Sequence, residues 1–244
     1  MSARLVQGCA TAALLILAWQ VLVTSSGIPV FILPGPGQVL QTIMAQWRLL
    51  GWHAGVTLVE ILTSLIIAGV IGTAVAIIMA AVPLLRTLLH PVLMLSQAIP
   101  VFALAPILTL WLGYGFWSKV TVALLIVFFP ITSSFFDGLM RTPAGWLDLS
   151  FQMRGRPGLI MRHIRIPAAF PALASGLRLA AVYAPVGAII GEWVGASQGL
   201  GYLMLFANGR ARTDLMFAAL TLLLVVTLGL RLATEVFCRR VLSS

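Results

Sequence analysis

Apolar positions in this chain fall in long, unbroken runs, separated by short polar or glycine- and proline-rich stretches. A helix needs roughly 20 apolar residues to cross the ~30 Å hydrocarbon core of a bilayer. Runs of that size predict spans at residues 8–27, 56–81, 92–112, 168–190 and 215–237. A further span follows a turn at 113–119 and ends near Phe136, making six. Because the runs are continuous rather than alternating, helices fit and a barrel does not. The first run is read as an uncleaved span rather than a signal peptide, since Ser25-Ser26-Gly27 is a weak cleavage site. Residues 28–54 contain Pro29, Pro34 and Pro36, predicting an extended turn, and then a mildly amphipathic surface helix at 39–50. Residues 83–91 and 191–213 are predicted connections, the second glycine-rich and polar.

Small residues recur every four positions in two spans. Ser64, Ala68, Gly72, Ala76 and Ala80 form one stripe, and Ala172, Gly176, Ala180, Ala184 and Ala188 another. Such stripes allow helix backbones to approach closely, and they suggest that the second and fifth spans are tightly packed members of one bundle. Pro100 and Pro106 interrupt the third span. The carbonyls they free belong against neighbouring helices or a water-lined path.

The most polar stretch is 148–167, within a loop spanning about 137–167. Thr142-Pro143 suits a helix start, with Thr as cap and Pro at the first helical position. That helix is expected to run to about Met153. Gly155 is expected to end it in the left-handed conformation. Pro157 is expected to start a second short helix, and Pro167 to disfavour helical geometry at Ile166. The pair carries Arg154, Arg156, Arg162 and Arg165.

Composition agrees with a polytopic membrane protein: 61% hydrophobic and 9% charged, against about 25% charged in soluble domains. The net charge of +9 is sorted by side. With 137–167 inside, the inner loops and ends hold Arg4, Arg86, Arg141, Arg154, Arg156, Arg162, Arg165, Arg239 and Arg240. The outer ones hold Arg48, Lys119, Arg210 and Arg212, leaving Arg178 and Arg231 within spans. That asymmetry follows the positive-inside rule and makes nucleic-acid binding a poor reading. Cys9 and Cys238 lie at opposite ends, without metal or disulfide spacing.

Few residues carry candidate chemistry. Glu60, early in the second span, is either an interfacial carboxylate or one facing a cavity or partner. Glu192 and Trp193, at the outer end of the fifth span, suit a substrate path or an interfacial anchor. Gln97 and Tyr183 complete the candidate translocation path. The spans show no convergence of polar side chains, so solute affinity is expected mainly in a separate protein. His53, His90 and His163 fall on different loops, which argues against a shared metal site. Gly113-Tyr114-Gly115 lacks the Thr-Val of a potassium filter and reads as a turn. Residues 195–201 lack the Gly-Lys-Ser/Thr of a phosphate loop, and no Walker motif occurs, so the chain is not expected to hydrolyse ATP.

The 148–167 stretch resembles the EAA loop of permease subunits of bacterial ABC importers. In that alignment Asp148 falls on the Glu, Ser150 on the second Ala, Ile164 on the Ile and Pro167 on the Pro. Arg154 occupies the Gly position, with Gly155 one residue later. The resemblance implies a coupling helix that docks in a groove of a cytoplasmic ATPase through Asp148, Ser150, Arg154, Gly155, Ile164 and Pro167. Residues 96–115 and 191–204 are similar to permeases of the nitrate, taurine and alkanesulfonate group. Residues 129–138, 167–178 and 213–220 look closest to permeases for hydroxymethylpyrimidine, a thiamine precursor. The resemblance thus implies an all-α, six-span type I permease fold filling residues 1–244 as one domain. It implies a homodimer in the bacterial inner membrane with both ends cytoplasmic, two ATPase subunits, a periplasmic or lipid-anchored binding protein, and no cofactor. Sulfonate, taurine or nitrate is the alternative cargo. The rival class is an ATP-independent secondary transporter or channel, which calls for intramembrane carboxylate chains or an inverted repeat.

Overall fold

The computed structural model describes residues 2–242, all of whose regular structure is helical. In order these are α1 (Ser2–Ser26), α2 (Pro36–Ala45), α3 (Trp47–Ala81), α4 (Pro83–Ser96), α5 (Val101–Leu112) and α6 (Phe116–Met140). After them come α7 (Ala144–Gln152), α8 (Pro157–Ile160), a π-helical turn (Met161–Arg165), α9 (Ile166–Gly195), α10 (Leu200–Gly209) and α11 (Thr213–Val241). Four helical stretches are long and apolar enough to cross a membrane: α3, α6, Pro157–Gly195 and α11. The broken pair α4–α5 makes up to five, and α1 contributes a shorter apolar run, Ala10–Ser26. The expectations for Arg4 and Cys9 concern side chains outside the described residues.

Helix α6 is the centre of the bundle. Val120, Ala123, Val127, Ile131, Phe135 and Leu139 are all buried. Both small-residue stripes pack on it, so the second and fifth spans are tightly packed members of one bundle with α6 between them. Gly72 of α3 lies so close to α6 that an added Cβ would sit 2.7 Å from Thr132 Oγ1. On α9, a Cβ at Gly176 would sit 2.7 Å from the Pro130 carbonyl oxygen, and one at Gly187 2.6 Å from Ala123 Cα. Lipid tails are as apolar as side chains, so van der Waals contact at such close approach holds these helices together. The mechanism read from the stripes stands, and α6 is the helix on which both close.

Three boundaries differ from expectation. The surface helix at 39–50 ends at Ala45; Leu50 and His53 already belong to α3, where both are buried. The predicted loop 83–91 is the first half of α4. The third span is not straight, because α4 and α5 meet at 102° across a break containing Gln97 and Pro100. Pro100 offers no N–H and sits at the N-cap of α5, where none is needed.

Arg178, within the long apolar helix α9, is paired with Glu235 of α11. Glu235 also accepts from Arg239 at 2.7 Å. An arginine within an apolar helix is tolerated when a partner compensates its charge. Cys238 is buried, with its thiol directed at the Ala174 carbonyl.

Candidate functional site

The polar loop folds as two short helices joined by a tight turn, as read from sequence, but its geometry reassigns two residues. Thr142 does not cap α7; its hydroxyl donates to the Leu139 carbonyl at the end of α6, and Pro143 is the N-cap. The left-handed residue is Arg154, with φ +55°, and not Gly155. Gly155 N–H donates to Ser150 O at 2.9 Å, and Arg154 N–H to Phe151 O at 2.9 Å. These two bonds form a Schellman cap with Arg154 at its left-handed position. Gly155 is required for space instead: a Cβ there would lie 2.9 Å from Ser150 O and 3.2 Å from Ile160 Cγ1. The left-handed position therefore coincides with the family's Gly in the alignment, here filled by Arg.

Pro167 does not end a helix. The chain runs helically from Pro157 to Gly195, with Ile166 at φ −62° and its N–H bonded to Met161 O across a π turn. A proline ring clashes with the carbonyl four residues earlier. Widening the preceding turn to π geometry relieves that clash without breaking the rod.

Ser150, Ile164 and Pro167 line a cleft of about 330 Å³ between the two limbs of the loop. Ser150 is buried, its hydroxyl donating to the Trp146 carbonyl. Asp148 and Arg154 face outward. Beside Asp148, α7 exposes Trp146 at 56%, Leu149 at 59% and Met153 at 76%. Their spacing of three and four residues puts them on one face of the helix.

Glu60 and Glu192, expected on separate helices of a path, meet at one end of the bundle and are buried. Lys119, expected in an outer turn, lies in the first turn of α6, buried, with Nζ 3.5 Å from Glu60 Oε1. Glu192 accepts from Thr57 Oγ1 at 2.6 Å, from Gly201 N–H at 2.5 Å and from Tyr202 N–H at 3.3 Å. Thr57 Oγ1 in turn accepts from Leu200 N–H at 2.8 Å, and His53 Nδ1 from Gly199 N–H at 2.9 Å. The first turn of any helix leaves its N–H groups unbonded. Here side chains of α3 and α9 fill that role for α10. Glycine is needed at 199, where φ is +109° and a Cβ would collide with the Glu192 carboxylate. Sequence reasoning missed His53, Thr57 and Lys119. The available signal was the α3 stripe, which continues from Ser64 through Glu60 and Thr57 to His53 in helical steps. Trp193 stands apart, 42% exposed.

Replacing Lys119 tests the buried charge. Removing one partner of a buried ion pair costs roughly 3–5 kcal/mol. Lys119→Met is expected to lower the thermal midpoint of the purified permease sharply, and Glu60→Gln added to it to restore most of the loss. Simple additivity of the two changes would show that the groups are not coupled.

Gln97 and Tyr183, the remaining path candidates, do come together. They line a cavity of about 340 Å³ at the α4–α5 break, with Ser133 and Ser134 of α6. Polar groups from three helices therefore converge, contrary to expectation. No cluster with the makings of a metal site occurs among the described residues, and the three histidines lie apart on α3, α4 and the π turn.

Residues 68–243 match the family model described as the inner-membrane component of binding-protein-dependent transport systems. The chain belongs to this family. It is an ABC importer permease, a multi-pass inner-membrane protein. A probable ABC transporter permease protein of Haemophilus influenzae is 44% identical over 94% of each chain. The formylaminopyrimidine transport permease protein ThiX of Halalkalibacterium halodurans is 37% identical, covering 78% of this chain and 76% of its own. Among solved structures, an inward-facing form of the MetNI methionine ABC transporter superposes with a TM-score of 0.68, at 21% identity. It covers 80% of this chain and 96% of that one, and shows the shared fold.

Proposed function

We propose that this permease is a six-span protein with both ends cytoplasmic, forming one transport domain over residues 1–244. It works as a homodimer with two ATPase subunits and a periplasmic binding protein, importing a pyrimidine precursor of thiamine. The observation that carries the coupling role is the exposed face Trp146, Leu149 and Met153 beside Asp148, on a short helix fixed by the Schellman turn. Large apolar side chains grouped on a rigid, protruding helix mark a protein contact. A groove on an ATPase is the partner that accounts for them in an importer. ATP-driven closure of the ATPase pair moves this loop, and α9 continues from it without a break to the far side of the bundle. The 37% identity with a formylaminopyrimidine permease over most of both chains supports the cargo.

Purification of the intact complex should recover an ATPase and a binding protein, and uptake into vesicles should require ATP and formylaminopyrimidine. If the complex moves taurine or another sulfonate and leaves pyrimidines outside, the cargo is wrong while the permease assignment stands. Orientation is tested separately. In a background lacking Cys9 and Cys238, a single cysteine at Asn208 should be labelled from outside intact cells, and one at Gly158 should not. Both positions are exposed, so labelling of 158 from outside would overturn the topology.

A further inference from the structure

The cavity at the α4–α5 break carries an inference that rests on the permease reading above. Its side-chain polarity comes from Gln97, Ser133, Ser134 and Tyr183, with Ser96 at its rim, and its apolar walls include Phe129 and Pro130. No Lys, Arg, Asp, Glu or His lines it. Hydroxyls in apolar helices commonly donate to the carbonyl three or four residues back. Ser96 does so, to Leu93 O, as do Thr121 and Thr132 on α6. Among the described residues, no hydrogen bond occupies the side chains of Ser133, Ser134, Gln97 or Tyr183. Four side chains with unused hydrogen-bonding capacity therefore face one space.

The break itself adds a main-chain donor, the N–H of Val101 at the first position of α5, while the carbonyls of Leu93, Met94 and Leu95 at the end of α4 already accept from Ser96 Oγ, Gln97 N–H and Ala98 N–H. The two ends carry opposite partial charges. Side by side across a bend, they leave little net field for an ion. A sulfonate or carboxylate in such a place would be desolvated without a counter-charge. A neutral ring with alternating donors and acceptors would instead find complementary groups. Aromatic walls favour a planar solute, because rings stack by offset or edge contacts. The volume sits at the small end of the range of ligand pockets, roughly 300–1,000 Å³, which suits one ring with short substituents.

We propose that this cavity is a selective site within the permease for an uncharged, single-ring heterocycle bearing both donors and acceptors. Gln97 contributes both a donor and an acceptor, Tyr183 a hydroxyl and a stacking face, and Ser133 and Ser134 further hydroxyls. The permease then checks the solute after the binding protein has released it.

The test uses the purified permease–ATPase complex without its binding protein, and radiolabelled formylaminopyrimidine in equilibrium dialysis. Saturable binding is expected, displaced by unlabelled uncharged pyrimidines and not by taurine. Gln97→Leu with Tyr183→Phe keeps side-chain volume while removing two polar groups, and should weaken binding at least ten-fold; Ser133→Ala should weaken it less. Displacement by taurine as effective as by pyrimidines would overturn the proposal, as would full binding by the double variant. The native measurement decides even if the variants fail to accumulate. Should the complete system import formylaminopyrimidine while the permease–ATPase complex binds none, this site is refuted and the transport function stands. Import of taurine in place of pyrimidine would refute both the cargo and the site.

Discussion

Gly155→Val should leave the permease in the membrane at near-normal amounts and abolish substrate-stimulated ATP hydrolysis and uptake. The reason is steric and local. Gly155 N–H donates to Ser150 O, and a Cβ on Gly155 would press on that same oxygen at 2.9 Å and on Ile160 Cγ1 at 3.2 Å. A backbone oxygen cannot swing aside as a side chain does, so the Schellman turn must open. The second limb, which becomes α9, then meets α7 at another angle. The bundle is spared because its close contacts lie on α3, α6 and α9 beyond the loop. The comparison variant is Arg154→Gly. A non-glycine residue in a left-handed conformation stores on the order of 1–3 kcal/mol, and Arg154 has φ +55°. Glycine there should relieve strain, raise the thermal midpoint slightly and keep coupling. Asp148→Lys reverses an exposed charge on the same helix and should uncouple without affecting insertion. Normal transport by Gly155→Val would remove the turn from the mechanism. Loss of coupling in Arg154→Gly, with normal amounts of protein, would assign the contact to the Arg154 guanidinium.

That turn also shows what was legible in the sequence. The two-helix loop, its turn within 153–157 and its exposed basic residues followed from Pro143, Gly155 and Pro157. Which residue was left-handed did not, because glycine signals both free φ and missing volume, and only packing separates the two. The stripes on α3 and α9 were readable for the same reason that any four-residue period is. Their common partner, α6, was not, because its buried residues are mostly large or β-branched and its small ones, Ser118 and Ala123, form no four-residue stripe. Pro100 marked a weakness in the third span, but a 102° bend requires neighbours that cover both helix ends. Gln97 and Tyr183 were found as isolated polar residues. Ser133 and Ser134 were passed over, since serines in apolar helices usually bond their own backbone.

Glu192→Leu and Gly199→Val should be the most damaging single changes in the chain, acting on folding rather than on coupling. Glu192 is 1% exposed and accepts from Thr57, Gly201 and Tyr202. Leucine would leave the Gly201 and Tyr202 N–H groups without their acceptor, and each unpaired buried donor costs roughly 1–3 kcal/mol. Valine at 199 fails twice, since φ there is +109° and its Cβ would occupy the space of the Glu192 carboxylate. Either change should release α10 from α3 and α9, sharply reducing both the recovered permease and its thermal midpoint. The cap predicts a graded series rather than a uniform loss. Glu192→Gln keeps an oxygen for Gly201 and Tyr202, and Thr57 can turn its hydroxyl to the His53 carbonyl, 3.2 Å away. It should be mild. His53→Ala removes one acceptor, that of Gly199 N–H, and should be intermediate. Thermal unfolding of the four purified variants in one detergent gives the order directly. Native stability in Glu192→Leu, or a glutamine variant as damaged as the leucine one, would show that α10 is held by its apolar contacts and not by this cap.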